Sequence, residues 1–149
     1  MSTPFVSPAG DSLININETF LPIDQMRQVA RVTTLNGPTI IAEVDLGEQH
    51  WVYRQHFPSD PIFPGTLIVE AAGQAVALWA WAQGQRGRPR LVRVEAEFHA
   101  PVRPDDPRLL IEAVVRRKRH LNFAEVTVRT ARAAVATITA VLAVLPAAS

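Results

Sequence analysis

"PGTLIVEAAGQAVALWAWAQ", residues 64–83, is the stretch whose reading decides the fold. Leu, Ala, Glu and Gln are good helix formers, and Pro64-Gly65 supplies a start signal, so the spacing predicts a helix over 66–83. At 1.5 Å per residue such a helix is roughly 27 Å long. Its apolar residues, Leu67, Ile68, Val69, Ala72, Val76, Leu78, Trp79 and Trp81, lie all round the cylinder instead of on one stripe. A helix with that pattern is buried, and something must wrap it.

Extended segments on both sides supply the wrapper. "VARVTTL" (29–35), the turn signal Asn36-Gly37-Pro38 and "TIIAEVDL" (39–46) read as a hairpin, and "HWVYRQ" (50–55) as a further short strand. Four more follow the helix: "LVRVEAEFHAPV", "RLLIEAVVRRK", "NFAEVTVRTA" and "AAVATITAVLAVL". The first alternates Val94, Ala96 and Phe98 against Arg93, Glu95 and Glu97. The last is rich in alanine, but Val135, Thr137, Ile138, Thr139, Val141 and Val144 favour a strand, and an interior one. The layout is α+β, with an antiparallel sheet curled around one long helix. Residues 1–19, rich in Ser, Pro, Asn and Gly, read as an N-terminal arm, and 20–149 as a single domain.

Ahead of the helix, Pro58, Pro61 and Pro64 stiffen the loop that carries His56. Within the helix, Glu70 stands among Leu67, Ile68, Val69, Ala71 and Ala72, where a carboxylate is costly unless it is paired or faces a polar cavity. Gln74, one turn later, shares its face. These features predict a rigidly mounted imidazole and a polar pocket within the core.

The residues His56-Phe57-Pro58, Pro61, Pro64-Gly65, Leu67, Ile68, Glu70-Ala71 and Gln74 resemble, in identity and spacing, the signature of 3-hydroxyacyl-acyl-carrier-protein dehydratases of the FabZ and FabA type. "VEAEFHAPVRPDD" is similar to the strand and turn of the form "aRFrkPVvPGD" in that family. The resemblance implies a hot-dog fold, a homodimer or a multiple of dimers, and an active site at the subunit interface. It implies that His56 and the Glu70 of the other subunit form the catalytic pair. Gly65, at the helix N-terminus, would offer backbone N–H groups to the thioester oxygen. Gln74 would orient Glu70, and Phe57 and Phe63 would pack the loop and wall the acyl tunnel. The chain departs from the pattern at Gln55, Ser59 and Asp60, so substrate scope is where it is expected to differ.

Dehydration of a 3-hydroxyacyl thioester to the trans-2-enoyl thioester needs two proton-transfer groups and neither cofactor nor metal. The partner implied is acyl carrier protein, whose acidic surface and phosphopantetheine phosphate suit Arg86, Arg88 and Arg90 in "GQRGRPR" and Arg116, Arg117, Lys118 and Arg119 in "RRKRH". The alternatives are a hot-dog thioesterase and a non-catalytic subunit that binds the acyl carrier.

Composition narrows the remaining classes. Fifteen Lys and Arg against fourteen Asp and Glu leave a net charge of +1, which argues against a general nucleic-acid binder. The absence of cysteine excludes disulfides, thiolate metal sites and cysteine nucleophiles. His50, His99 and His120 lack metal-ligand spacing, and no G-x-S-x-G, Walker or dinucleotide motif is present. The longest apolar run falls short of the roughly 20 residues that span a bilayer. "MSTPFVSPAGDS" has neither a basic nor an apolar leader region, so a cytoplasmic location is expected.

Overall fold

A computed structural model describes residues 11–147. One long helix, α1 (Gly65–Ala82), lies across a six-stranded antiparallel sheet. The strands are β1 (Arg31–Asn36), β2 (Thr39–Asp45), β3 (Arg88–Phe98), β4 (Arg108–Lys118), β5 (Leu121–Arg129) and β6 (Ala134–Leu145), in the order β1-β2-β4-β5-β6-β3. This is the hot-dog layout that the sequence resemblance implied.

The β1–β2 hairpin turns at Gly37, whose φ of 59° is the left-handed conformation that glycine adopts without penalty. Period-two alternation puts Leu109, Ile111, Ala113 and Val115 of β4 and Ala124, Val126 and Val128 of β5 on the face that meets α1. From the helix, Ile68, Ala71, Ala72, Ala75, Val76, Leu78 and Trp79 enter the same core. Alanines on both sides let helix and sheet approach closely, and irregularities at 32/34, 91/93 and 128/129 add the local twist that curls the sheet. Each fully buried Leu, Ile or Val side chain here stabilises the fold by about 1.5–3 kcal/mol.

Among the described residues the buried side-chain polar atoms are paired, apart from Arg31 Nε. Gln85, just past α1, exchanges two hydrogen bonds of 2.8 and 3.0 Å with Asn122, which occupies an inward position of β5. Trp79 Nε1 donates to the Gly37 carbonyl at 2.9 Å, which ties the last turns of α1 to the β1–β2 turn.

Two expectations change. "HWVYRQ" is not a strand: Trp51–Arg54 form a 3-10 turn. The His50 ring accepts from Val52 N–H, and the N–H groups of Tyr53, Gln55 and His56 bond to the carbonyls of His50 and Val52, so the segment satisfies itself and needs no sheet neighbour. In β3 the alternation is present but does not bring burial. Leu91, Val92, Val94 and Phe98 are 43, 59, 38 and 51% exposed on this edge strand, which pairs only with β6. β6 is interior, as expected.

Of the N-terminal arm, residues 1–10 lie outside the described residues. Residues 12–16 run against β1: Leu13 N–H bonds to Val32 O, Ser12 Oγ accepts from Val32 N–H, and Ile14 and Ile16 are buried.

Candidate active site

The loop that carries His56 is a miniature hairpin. Phe57 and Asp60 exchange backbone hydrogen bonds of 3.1 and 3.0 Å, Ile62 N–H donates to His56 O at 2.9 Å, and Phe63 N–H donates to Val102 O at 2.9 Å. The prolines limit φ, and these bonds fix the rest. The His56–Phe57 peptide is cis.

His56 Nδ1 lies 3.0 Å from the Ile62 carbonyl. A carbonyl oxygen only accepts, so Nδ1 carries the hydrogen and the neutral ring keeps its lone pair on Nε2. Phe57 stacks on the imidazole with centroids 4.0 Å apart, while its own ring remains half-exposed. Phe63 is buried instead, against His50 and Tyr53. Asp60, one of the departures from the family pattern, faces Arg103 at 3.7 Å, and both side chains are exposed.

Glu70 projects from the second turn of α1 into a pocket of about 180 Å³ lined by Phe20, Leu21, Val69, Gly73, Ala77 and Leu91 among others. Gln74 Nε2 donates to Glu70 Oε2 at 2.8 Å and to Met26 O at 2.7 Å, while Gln74 Oε1 accepts from the N–H groups of Gln28 at 2.8 Å and Val29 at 3.1 Å. Every polar atom of this buried amide is occupied, so its orientation is fixed and it holds the carboxylate in one place. Glu70 Oε1 has no hydrogen-bond partner among the described residues.

Gly65 opens α1 behind Pro64, whose carbonyl accepts from the N–H groups of Leu67 and Ile68 at 3.0 and 3.1 Å, which leaves the N–H groups of Gly65 and Thr66 without an intrahelical acceptor. A side chain at Gly65 would come within 3.0 Å of the Phe98 ring, so glycine lets the start of α1 approach that ring. His56 is not among the residues that line the Glu70 pocket.

The loop is anchored from below. Asp106, 2% exposed, accepts from Arg103 N–H at 2.9 Å and from Arg132 Nε and Nη2 at 3.0 and 2.9 Å. Burial works to raise its pKa, but the hydrogen bonds from Arg132 and Arg103 prevail and hold the carboxyl below the usual range. Tyr53 donates to Arg103 O at 3.3 Å, and burial, aided by the charges of Asp106 and Asp105, pushes its hydroxyl up to about 12. Burial lowers the pKa of His50. Nothing in the sequence pattern singled out Asp106, Tyr53 or Met26 as supports of the site; each meets a partner distant in the chain, the Arg132 guanidinium, the Arg103 carbonyl and the Gln74 amide respectively.

The basic residues divide. Arg86 and Arg117, 31 positions apart, line one open cleft of about 460 Å³ with His120, Val144 and Leu145. Arg86 also lies over Trp81 and bonds to the carbonyls of Trp81 and Gln85. Arg88 donates to Pro146 O and Arg90 to Pro89 O. Arg116 covers the Phe123 ring, and Arg117 bonds to Arg119 O at the hairpin turn after Lys118. Among the described residues no group of three or more His, Cys, Asp and Glu is placed to hold a metal ion, and no helix is long and apolar enough to cross a membrane.

Comparison with solved structures supports the fold. The dehydratase heterocomplex ApeI:P from Xenorhabdus doucetiae is similar at a TM-score of 0.68 and 14% identity, covering 84% of this chain and 88% of that one. The thioesterase HI1161 from Haemophilus influenzae matches at 0.62 and 16%, covering 80% of each chain. A hypothetical thioesterase with coenzyme A from Streptococcus pneumoniae matches at 0.61 and 11%, covering 80% and 88%. At the level of sequence, the model of the FabA-like domain matches residues 21–139. That span runs from ahead of β1 into β6 and encloses both His56 and Glu70, and the chain belongs to the FabA-like domain family.

Proposed function

We infer that the protein is a dehydratase of 3-hydroxyacyl thioesters, working on acyl groups carried by acyl carrier protein or coenzyme A. The observation that carries this is the pair of positioned proton-transfer groups: an imidazole whose Nδ1 is engaged by the Ile62 carbonyl, and a carboxyl in the wall of a pocket whose Oε2 is held by Gln74.

His56 Nε2 takes a proton from the carbon next to the thioester carbonyl. The electron pair of that C–H bond becomes the new carbon–carbon double bond, and the 3-hydroxyl leaves as water with a proton from Glu70 Oε1. Charge that builds on the thioester oxygen meets the first-turn N–H groups at Gly65. The proton gained by His56 and the one lost by Glu70 then balance through solvent. Each of the two groups supplies roughly 10²- to 10⁴-fold.

Because His56 does not line the Glu70 pocket, the working site takes His56 from one subunit and Glu70 from another. The half-exposed apolar side chains of the edge strand β3 offer the surface on which a second copy would close it. Arg86 and Arg117, brought together in one cleft, are the residues that would receive the phosphate of a carrier's pantetheine arm.

Mass spectrometry of 3-hydroxyacyl carrier-protein substrates tests this. Wild type is expected to remove water, and His56→Ala and Glu70→Gln to lose that activity by roughly 10²-fold or more. Release of free acid would establish the thioesterase instead, a reading favoured by the thioesterases among the similar structures. Wild type inert toward both reactions would leave the non-catalytic carrier-binding subunit.

A further inference from the structure

The peptide unit between Ile62 and Phe63 carries two hydrogen bonds that run in opposite directions. Its carbonyl, that of Ile62, lies 3.0 Å from His56 Nδ1, and its N–H, that of Phe63, donates to Val102 O at 2.9 Å. A peptide unit is planar, so its C=O and N–H do not turn independently. The Val102 carbonyl therefore sets the direction of the acceptor that fixes the His56 ring and its tautomer.

Two more contacts from the same loop end on the next residue. Ahead of His56, Tyr53 donates its hydroxyl to Arg103 O at 3.3 Å, and at the tip of the loop Asp60 Oδ1 stands 3.7 Å from Arg103 Nη1. The loop thus meets Val102 and Arg103 before, at and after its turn. These two residues belong to no strand; they lie in the irregular segment between β3 and β4.

Asp106 gives that segment its rigidity. Its Oδ2 accepts from Arg103 N–H at 2.9 Å, and its own N–H donates to Arg103 O at 2.9 Å. The carboxylate is buried, and Arg132 grips both of its oxygens, Nε on Oδ1 at 3.0 Å and Nη2 on Oδ2 at 2.9 Å. A planar fork that meets both oxygens fixes the direction of a carboxylate as well as its charge. Arg132 stands in the turn between β5 and β6, where the Thr130 hydroxyl accepts from the N–H groups of Arg132 and Ala133. Without Arg132 a buried carboxylate would keep only the Arg103 N–H, and it would turn or draw in water at the expense of the segment it holds.

We propose that Arg132 is a positioning residue for His56: through Asp106 it holds Val102 and Arg103, and through the Ile62–Phe63 peptide these hold the imidazole in its Nδ1–H tautomer. The use made of the Nε2 lone pair rests on the dehydratase reading, whereas the state of the ring does not, so the two are tested apart.

Nitrogen-15 NMR of protein labelled at histidine reads the ring directly at a pH where imidazole is neutral, with His56 identified by the signals missing from His56→Ala. Wild type should show two widely separated His56 nitrogens with the proton on Nδ1. In Arg132→Met the separation should shrink as the released ring exchanges tautomers in water, and kcat for a 3-hydroxyacyl pantetheine thioester should fall about 10-fold with KM little changed. Arg132→Lys keeps the charge without the fork and should show the same shift at smaller amplitude, which decides the matter if Arg132→Met does not fold. Ile40→Val, a core substitution beside the β1–β2 turn, should lower the Tm and leave both readouts alone. An Nε2–H tautomer in wild type, or unaltered His56 signals in a folded Arg132 variant, overturns the proposal, as does an equal shift in Ile40→Val. The expected shift in a protein that removes water from no substrate keeps the positioning role and removes the dehydratase.

Discussion

Gln74 Nε2 stands 2.8 Å from Glu70 Oε2, one helical turn away, and the same amide joins α1 to Met26, Gln28 and Val29 on the segment ahead of β1. A residue that holds the Glu70 carboxyl is thus also a fastener between the helix and the segment ahead of β1.

Replacing Gln74 by Leu should therefore reduce stability and activity together. The N–H groups of Gln28 and Val29 and the carbonyl of Met26 lose their partner in a buried setting, and stranded groups of this kind cost about 1–3 kcal/mol each. Urea denaturation should register a loss of about 3 kcal/mol or more. Loss of activity with unchanged stability would show that Gln74 does not bridge the two segments.

Asp106 should make the fold sensitive to acid. Its carboxyl lies below the ordinary range when folded, so its stabilising effect is complete above the unfolded value of about 3.9 and is lost as pH falls through the lower folded value. Asp106→Asn should destabilise the protein near neutrality by about 1–2 kcal/mol, and the gap to wild type should narrow in strong acid. Chemical denaturation across pH checks it; a gap independent of pH would mean that the ionised form contributes nothing.

His50 should act in the pH range above that. Its Nδ1 accepts from Val52 N–H at 3.2 Å, which requires a neutral ring, and burial lowers its pKa. The unfolded chain then binds this proton more readily than the folded one, so stability declines as pH drops below about 6.5. Asn is a good helix cap that does not titrate. The Tm of His50→Asn should thus start lower, through the lost contacts with Trp51, Tyr53 and Phe63, but fall less between about pH 6.5 and 5. Parallel Tm curves for the two proteins would contradict the role of the cap.

What could be read from the sequence was whatever depended on short spacing. Pro64-Gly65 and the all-round apolar run marked α1 to within a residue at each end, and Asn36-Gly37 marked the first hairpin. "HWVYRQ" misled because apolar and polar residues alternate there, while the deciding interaction is a histidine side chain capping the amide two residues on, which propensity does not register. The exposure of β3 was equally hidden: its pattern is that of a half-buried strand, yet its apolar side chains stand at the edge of the sheet and remain largely exposed. At the site, Glu70 and Gln74 were legible as neighbours on one helix face. The supports at Met26 and Asp106 were not, because each acts across more than 20 residues of chain, Met26 on the Gln74 amide and Asp106 on the Arg132 guanidinium.

The most direct test of a dehydratase site shared between subunits is to mix two inactive variants. His56→Ala and Glu70→Gln are each expected to be inactive toward a 3-hydroxyacyl thioester, yet a dimer with one copy of each would contain one site in which both residues are intact. After unfolding and refolding together in equal amounts, half of the dimers should be mixed, and dehydration should return to about a quarter of the wild-type rate. No recovery above the separate variants, from a mixture shown to contain mixed dimers, would contradict a site built from His56 of one subunit and Glu70 of the other.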